Sequence, residues 1–297
     1  MELPLVVGID GSADALRAVD WAADEAALRD CPLHLLYASI WEPYEGPAFP
    51  VGALRQLRPA GTDRTVAAAA EERARLRSPD IAVTADECDE DPVYALIDAS
   101  DRAAAIVVGS RGHGLPGIVL GSVSLTVAAR AHCPVIVERA GAQFSVDDRW
   151  VVLGLGGPGN MIFAAVEFAF EEAALRGCGV EVVHAWTRRH RERATVRGGR
   201  FDETRIFHEQ RAKEWLDDAL ARPTAAYPDL PVRRVVVESH ARPVLLQAAS
   251  QADLLVVGAQ RRRNALGLQL GLVNHAMLHY APCTVAVVPA KDVKKSG

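Results

Sequence analysis

The chain states one pattern twice. Glu25-Ala26-Ala27-Leu28-Arg29 returns unchanged as Glu172-Ala173-Ala174-Leu175-Arg176, each time two residues before a cysteine, Cys31 and Cys178. The apolar run Ile106-Val107-Val108-Gly109 likewise returns as Leu255-Val256-Val257-Gly258. Segments repeated almost half a chain apart require two copies of one fold rather than one large domain. A length of 297 residues allows this, because each half then has the usual size of a domain that can bury its own core. The residues after the second repeated segment separate the copies. The first runs Gly109-Ser110-Arg111-Gly112 and on to Gly121-Ser122; the second runs Gly258-Ala259-Gln260-Arg261 and on to Gly271-Leu272.

Hydrophobic residues make up 49% and charged residues 24%, the balance of a globular protein, so disorder and fibrous folds are excluded. No apolar run reaches the roughly 18 residues that span a bilayer, and no basic leader precedes Leu3. A cytoplasmic protein without a membrane partner is expected. Four of the five cysteines pair off between the copies, Cys31 with Cys178 and Cys133 with Cys283, which points to small buried side chains rather than disulfides. No cysteines or histidines show the spacing of a metal site, and none is expected. The net charge of −5 is unevenly spread. Residues 1–140 hold 12 Lys+Arg against 21 Asp+Glu, whereas the remainder is mildly positive.

Each half alternates short Val/Ile/Leu runs with helical patterns, the mark of βαβ units around a parallel sheet covered on both faces. In the first half, strands are expected at Leu3–Ile9, Leu33–Ile40, Ile81–Ala85, Ala105–Gly109 and Val135–Glu138, with helices at Ala13–Arg29, Arg64–Arg77, Pro92–Arg102 and Ser122–Ala131. The second half repeats the order, with strands at Val151–Leu155, Val180–Ala185, Val232–Glu238, Leu254–Gly258 and Thr284–Val288. Its helices are expected at Phe163–Arg176, Glu203–Ala221, Pro243–Ser250 and Val273–Tyr280. The domains span 1–140 and 149–290, joined by a polar linker, Ala140–Arg149. Long connections, Trp41–Gly61 and Thr187–Gly199, stand at the same point in both copies.

In open parallel sheets, ligands sit beyond the carboxyl ends of the strands where the strand order reverses. The first strand ends Gly8-Ile9-Asp10-Gly11-Ser12 and the fourth ends at Gly109, so both turns open onto that crevice. Around Gly109 and Gly112 no Cβ keeps the backbone from an anion, and successive amides can form a nest. Gly121-Ser122 then starts a helix whose first amides suit a phosphate. Each turn taken alone is ordinary punctuation, Asp-Gly-Ser being a common helix cap. Together they point to a nucleotide.

The chain resembles the universal stress protein family, in its tandem form, over residues 3–139 and 150–289. ATP-binding members of that family carry a strand-end Asp and the pattern G-x2-G-x9-G-(S/T), matched in type and order by Asp10, Gly109, Gly112, Gly121 and Ser122. One departure is that eight residues, His113 to Leu120, stand where the pattern has nine. The resemblance implies two adenine-nucleotide alpha-hydrolase-like (Rossmann-like) α/β domains. Each is a five-stranded parallel sheet of order 3-2-1-4-5 with helices on both faces. It implies ATP, with Mg2+, bordered by Gly8, Ile9, Asp10, Ala38 and Val108 at the adenosine. Gly109, Arg111, Gly112, Gly121, Ser122, Val123 and Ser124 would surround the ribose and phosphates. It also implies a homodimer, through the last strands, and a regulatory stress-response role with a protein partner.

The second copy departs position by position. Gly156 stands for Asp10, Arg261 for Gly112 and Leu272 for Ser122, so a degenerate site is expected there. Gly154-Leu155-Gly156-Gly157-Pro158-Gly159 spells a dinucleotide fingerprint, but the next strand offers no acidic residue to hold a ribose. No Walker A loop exists. The basic run Arg188 to Arg200 and Arg261–Arg263 lacks interleaved aromatics, so nucleic acid is not expected as a partner. No Ser/His/Asp set offers a nucleophile, and no catalytic residue is assigned. Two alternatives stay open: a nucleotide-free dimeric interaction scaffold, and a slow ATPase or adenylating enzyme on the same sheet.

Overall fold

The repeated sequence runs become repeated elements in the computed structural model, which describes residues 2–39, 62–112, 120–139, 150–157, 163–187, 201–260, 262–264 and 267–290. Two compact units result, Met1–Glu138 and Arg139–Gly297.

The first unit contains β1 (Leu5–Ile9), α1 (Ala13–Arg29), β2 (Leu33–Ala38), α2 (Thr62–Arg77) and β3 (Val83–Cys88). It continues with α3 (Pro92–Ala99), a 3-10 turn at Ser100–Arg102, β4 (Ala105–Gly109), α4 (Ser122–Arg130) and β5 (Val135–Glu138). Its strands are parallel and ordered β3-β2-β1-β4-β5. All residues of β4 and β5 are buried, as expected of strands covered on both faces. The second unit contains β6 (Trp150–Gly154), α5 (Phe163–Arg176), β7 (Gly179–Trp186), α6 (Phe201–Ala226) and β8 (Val232–Glu238). Next come α7 (Ala241–Ala249), β9 (Leu254–Ala259), β10 (Arg262–Asn264), β11 (Gly267–Gln269), α8 (Leu272–Tyr280) and β12 (Thr284–Pro289). Its parallel strands are ordered β8-β7-β6-β9-β12, the same 3-2-1-4-5 arrangement.

The repeated pentapeptide has a physical reason. Glu25 and Glu172 are almost fully buried and pair with Arg29 and Arg176 one turn later. Each helix then ends in a left-handed residue, Asp30 (φ 51°) or Gly177 (φ 62°). The amides of Cys31 and Cys178 turn back onto the carbonyls of Ala26 and Ala173 at 3.1 and 3.0 Å. Both cysteines bury behind that stop, Cys133 and Cys283 are buried elsewhere in the core, and none of the four forms a disulfide. Burial pushes the Cys133 and Cys283 thiols up to about 12, so neither is a nucleophile at neutral pH.

Several expected bounds shift, the helix expected over Pro92–Arg102 ending at Ala99 before a 3-10 turn, and three further differences stand out. β3 covers Val83–Cys88, not Ile81–Ala85. As the outer strand of the order it pairs, among the described residues, only with β2, and it therefore tolerates Asp86 and Glu87 along its length. α6 runs to Ala226, past its expected stop, with Pro223 inside the helix. Between β9 and α8 stands an antiparallel hairpin, β10 with β11, where the sequence reading assigns no strand. Strands of three residues are too short for an apolar alternation to reveal them. The linker 140–149, the long connections 41–61 and 188–199, the loop residues 113–119, the run 188–200 and Arg261 lie outside the described residues.

Candidate functional site

The first unit's cavity is built by its strand ends. β1 and β4 are adjacent in the sheet and diverge beyond their carboxyl ends, one to α1 and the other to α4. Between them opens a cavity of about 880 Å³. All twelve residues expected at a nucleotide line it: Gly8, Ile9, Asp10, Ala38, Val108, Gly109, Arg111, Gly112, Gly121, Ser122, Val123 and Ser124. Leu36, Pro92 and Leu96 complete an apolar side.

The polar side is held by short-range bonds. Asp10 Oδ1 accepts from the Ser12 amide at 2.9 Å, and Ser12 in turn caps α1, its Oγ accepting from the Ala15 amide at 3.2 Å. The other Asp10 oxygen faces Gly112, where an added Cβ would come within 2.5 Å of it. Only glycine fits that approach without moving the carboxylate. Gly109 is required for a different reason: a Cβ there would meet the backbone of Asp14 at 2.7 Å, so this glycine lets β4 pack under the first turn of α1. Of the pattern's glycines, Gly109 therefore serves packing and Gly112 serves the polar mouth.

At α4, the Gly121 amide donates to the Ser110 carbonyl at 2.8 Å, tying the two sides of the loop together. Gly121 is the N-cap and has no side chain to offer. The first-turn amides of Ser122, Val123 and Ser124 thus have neither an intrahelical partner nor a side-chain cap, and they line the cavity. Ser124 is more committed: its hydroxyl donates to the Gly109 carbonyl at 2.7 Å, leaving only lone pairs for a ligand.

Sequence reasoning missed Asp14. This buried carboxylate lines the cavity, and its Oδ2 accepts from the Ser110 hydroxyl at 2.9 Å and from the Arg111 amide and Nε at 3.1 Å each. Its other oxygen accepts from the Arg17 guanidinium. Burial pushes this carboxyl up, but hydrogen bonds from Arg111, Ser110 and Arg17 outweigh it and hold Asp14 below the usual range. Asp14 therefore stays ionised and anchors the Ser110–Arg111 turn. An acidic residue in the first turn of a helix was visible in the sequence, but there it reads as a partner of the helix dipole.

The second unit keeps a cavity of about 420 Å³ at the equivalent place. Gly154, Val183, Ala185, Leu245 and Val257 line it where Gly8, Leu36, Ala38, Leu96 and Val108 line the first. The charged positions are gone: Gly156 stands for Asp10 and Gln260 for Arg111. Leu272 is 82% exposed where the first unit has Ser122. Asn274 takes the place of Ser124 and makes the same tie, its Nδ2 donating to the Gly258 carbonyl at 2.9 Å. Among the described residues, no ionisable side chain lines this cavity.

Two domains of order 3-2-1-4-5 with a strand-end crevice narrow the family, and comparison with known proteins decides it. The profile of the universal stress protein family matches residues 3–139 and again 151–289. The chain belongs to this family. It is 32% identical over 305 aligned residues to the universal stress protein Rv2005c of Mycobacterium tuberculosis, covering 95% of this chain and 96% of that one. A universal stress protein of Mycolicibacterium smegmatis is 32% identical with 97% of each chain covered. Among solved structures, a universal stress protein from Archaeoglobus fulgidus matches with a TM-score of 0.67 over 97% of this chain and 98% of that one. Its 16% identity speaks to the fold alone. This tandem universal stress protein thus matches its relatives over nearly its whole length. No helix among its described residues is long and apolar enough to cross a membrane.

Proposed function

We propose that this universal stress protein binds ATP in its first domain only and works as a nucleotide-dependent regulatory module rather than as a fast enzyme. The observation that carries the reading is the joining, around one cavity, of an apolar side with a polar mouth. The mouth offers a carboxylate at Asp10, a cation at Arg111 and the uncapped amides of α4. An adenine suits the side formed by Gly8, Leu36, Ala38, Leu96 and Val108, and a ribose hydroxyl suits Asp10 as an acceptor. The phosphates suit the amides of Ser122 and Val123 and the guanidinium of Arg111. Among the described residues, no group of three His, Cys, Asp or Glu side chains could hold a metal ion. Mg2+ would therefore arrive with the phosphates and be held chiefly by them. In the second domain, the loss of the counterparts of Asp10 and Arg111 removes the phosphate seat while the apolar side remains. The family resemblance adds a homodimer that passes its nucleotide state to a protein partner.

Calorimetric titration of the full chain with ATP and Mg2+ tests this reading. One site per chain is expected, with affinity falling about ten-fold or more in Asp10→Ala, which removes the carboxylate but not the cavity. Absence of binding to the unaltered chain would favour a nucleotide-free scaffold. Release of AMP and pyrophosphate with a second substrate would favour an adenylating enzyme.

A further inference from the structure

Beneath the Ser110–Arg111 turn a charge network runs from the cavity wall at Asp14 back to Arg17 and Glu138, neither of which lines the cavity. Asp14 holds the turn through its Oδ2 and holds Arg17 through its other oxygen. Arg17 Nε lies 3.5 Å from Oε2 of Glu138, the last residue of β5, and Glu138 is buried opposite Gly109 in the strand register. Neither of those two atoms has a hydrogen-bond partner. A buried carboxylate oxygen that meets its arginine only at this long distance is poorly solvated.

The second copy shows that this network belongs to the site and not to the fold. Counting from the shared pentapeptide, Met161 and Ala164 stand where the first copy has Asp14 and Arg17. In the register of β9 with β12, Val288 stands opposite Gly258 as Glu138 stands opposite Gly109. All three charged residues are missing from the copy that also lacks Asp10 and Gly112. The buried pairs Glu25–Arg29 and Glu172–Arg176, which serve the fold, are kept in both.

We propose that Glu138 is a positioning residue for the Ser110–Arg111 turn, acting through Arg17 and Asp14, so that a proton added to Glu138 makes this turn a better seat for phosphate. The identity of the ligand rests on the nucleotide reading; the coupling between Glu138 and the turn does not. With Glu138 ionised, Arg17 is shared between two carboxylates, and the charges of Asp14, Glu138, Arg17 and Arg111 cancel. With Glu138 neutral, Arg17 serves Asp14 alone and one positive charge is left in excess beside the phosphate seat.

Burial pushes the Glu138 carboxyl up to about 7, with Arg17 opposing the shift and Asp14 and Asp20 adding to it, so the change falls in the neutral range. Those three groups, all on α1, are the leading charges that act on it. β4 carries no charged residue. The only charge on α4, Arg130, stands at the opposite end of β5, 5.7 Å from the centre of the Tyr94 ring.

The test is a pH titration of the full, 15N-labelled chain followed at the Ser110 and Arg111 amides, beside the near-isosteric variant Glu138→Gln. Both amides are expected to shift with a midpoint near neutrality in the unaltered protein and to lose that transition in Glu138→Gln, whose other amides report an intact fold. Amides that do not move, or that move alike in both proteins, would overturn the proposal. ATP is measured in parallel. Relative to Glu138→Gln, the unaltered protein should bind it about five-fold more tightly at pH 6 than at pH 8, the scale of one partly screened charge. The titration of ATP's own phosphate is common to both proteins and cancels. Adenosine, which has no phosphate, should show no such difference. An identical pH dependence of ATP binding in both proteins would likewise overturn the proposal. Failure of ATP to bind at any pH, with the amide transition intact, would overturn the nucleotide reading and leave the coupling standing.

Discussion

The two domains share a strand order, a buried Glu–Arg pair, a left-handed helix stop and an apolar crevice, and they differ almost wholly in charge at the mouth of that crevice. The first places Asp10, Asp14 and Arg111 around about 880 Å³; the second lines about 420 Å³ without an ionisable side chain among its described residues. The apolar side survives in both because it is also the core. Leu96 and Leu245 lie 3.0 and 3.1 Å from where a Cβ on Gly8 or Gly154 would stand, so these positions pack the sheet whatever the cavity holds. The polar mouth bears no such load. Residues that serve only a ligand can be lost without unfolding the domain, so the contrast between the copies separates what the fold needs from what the site needs.

Carrying residues from one copy to the other sharpens the contrast. The largest effect is expected from Gly112→Arg, which writes Arg261 of the second copy into the first. Its Cβ would meet the Asp10 carboxylate at 2.5 Å, so ATP affinity should fall by about 100-fold or more with little change in thermal stability. Calorimetry and thermal unfolding on the same samples check both halves of that expectation. Next come Glu25→Ala and Glu172→Ala, which should each cost about 2 kcal/mol by removing a buried carboxylate that an arginine one turn on pairs with. Denaturant unfolding should show similar losses in the two variants, because this pair serves the fold in both domains. A loss confined to one copy would break the equivalence. The smallest effect is Asp30→Gly, which brings Gly177 to the matching position. Asp30 sits at φ 51°, where glycine has no Cβ penalty, so the variant should gain about 0.5–1 kcal/mol in the same assay.

Much of this was legible in the sequence because it rests on short-range pattern. α1, β4, β5, α5 and β8 begin and end at their expected residues, since caps, glycines and apolar runs mark their ends. The strand-end Asp10 and the glycines at 109, 112 and 121 share one cavity because the parallel topology brings β1 and β4 side by side. The features that could not be read depend on contacts far apart in the chain. Asp14 and Ser110 meet across 96 positions, and Arg17 meets Glu138 across the packing of α1 on β5. Charged residues on the outer strand β3 hid its true extent, and the β10–β11 hairpin was too short to show a period. Ser124 matched a ligand pattern, but its hydroxyl ties α4 to β4, as the Asn274 amide ties α8 to β9.

The most direct test of the central claim is a count of adenine nucleotide per chain. Freshly purified protein, saturated with ATP and Mg2+ and freed of excess ligand, is denatured, and the released nucleotide is identified and quantified by chromatography beside Gly112→Arg. One nucleotide per chain in the unaltered protein, and none in the variant, is the predicted result. Two per chain, or one retained by Gly112→Arg, would contradict the assignment of the site to the first domain alone.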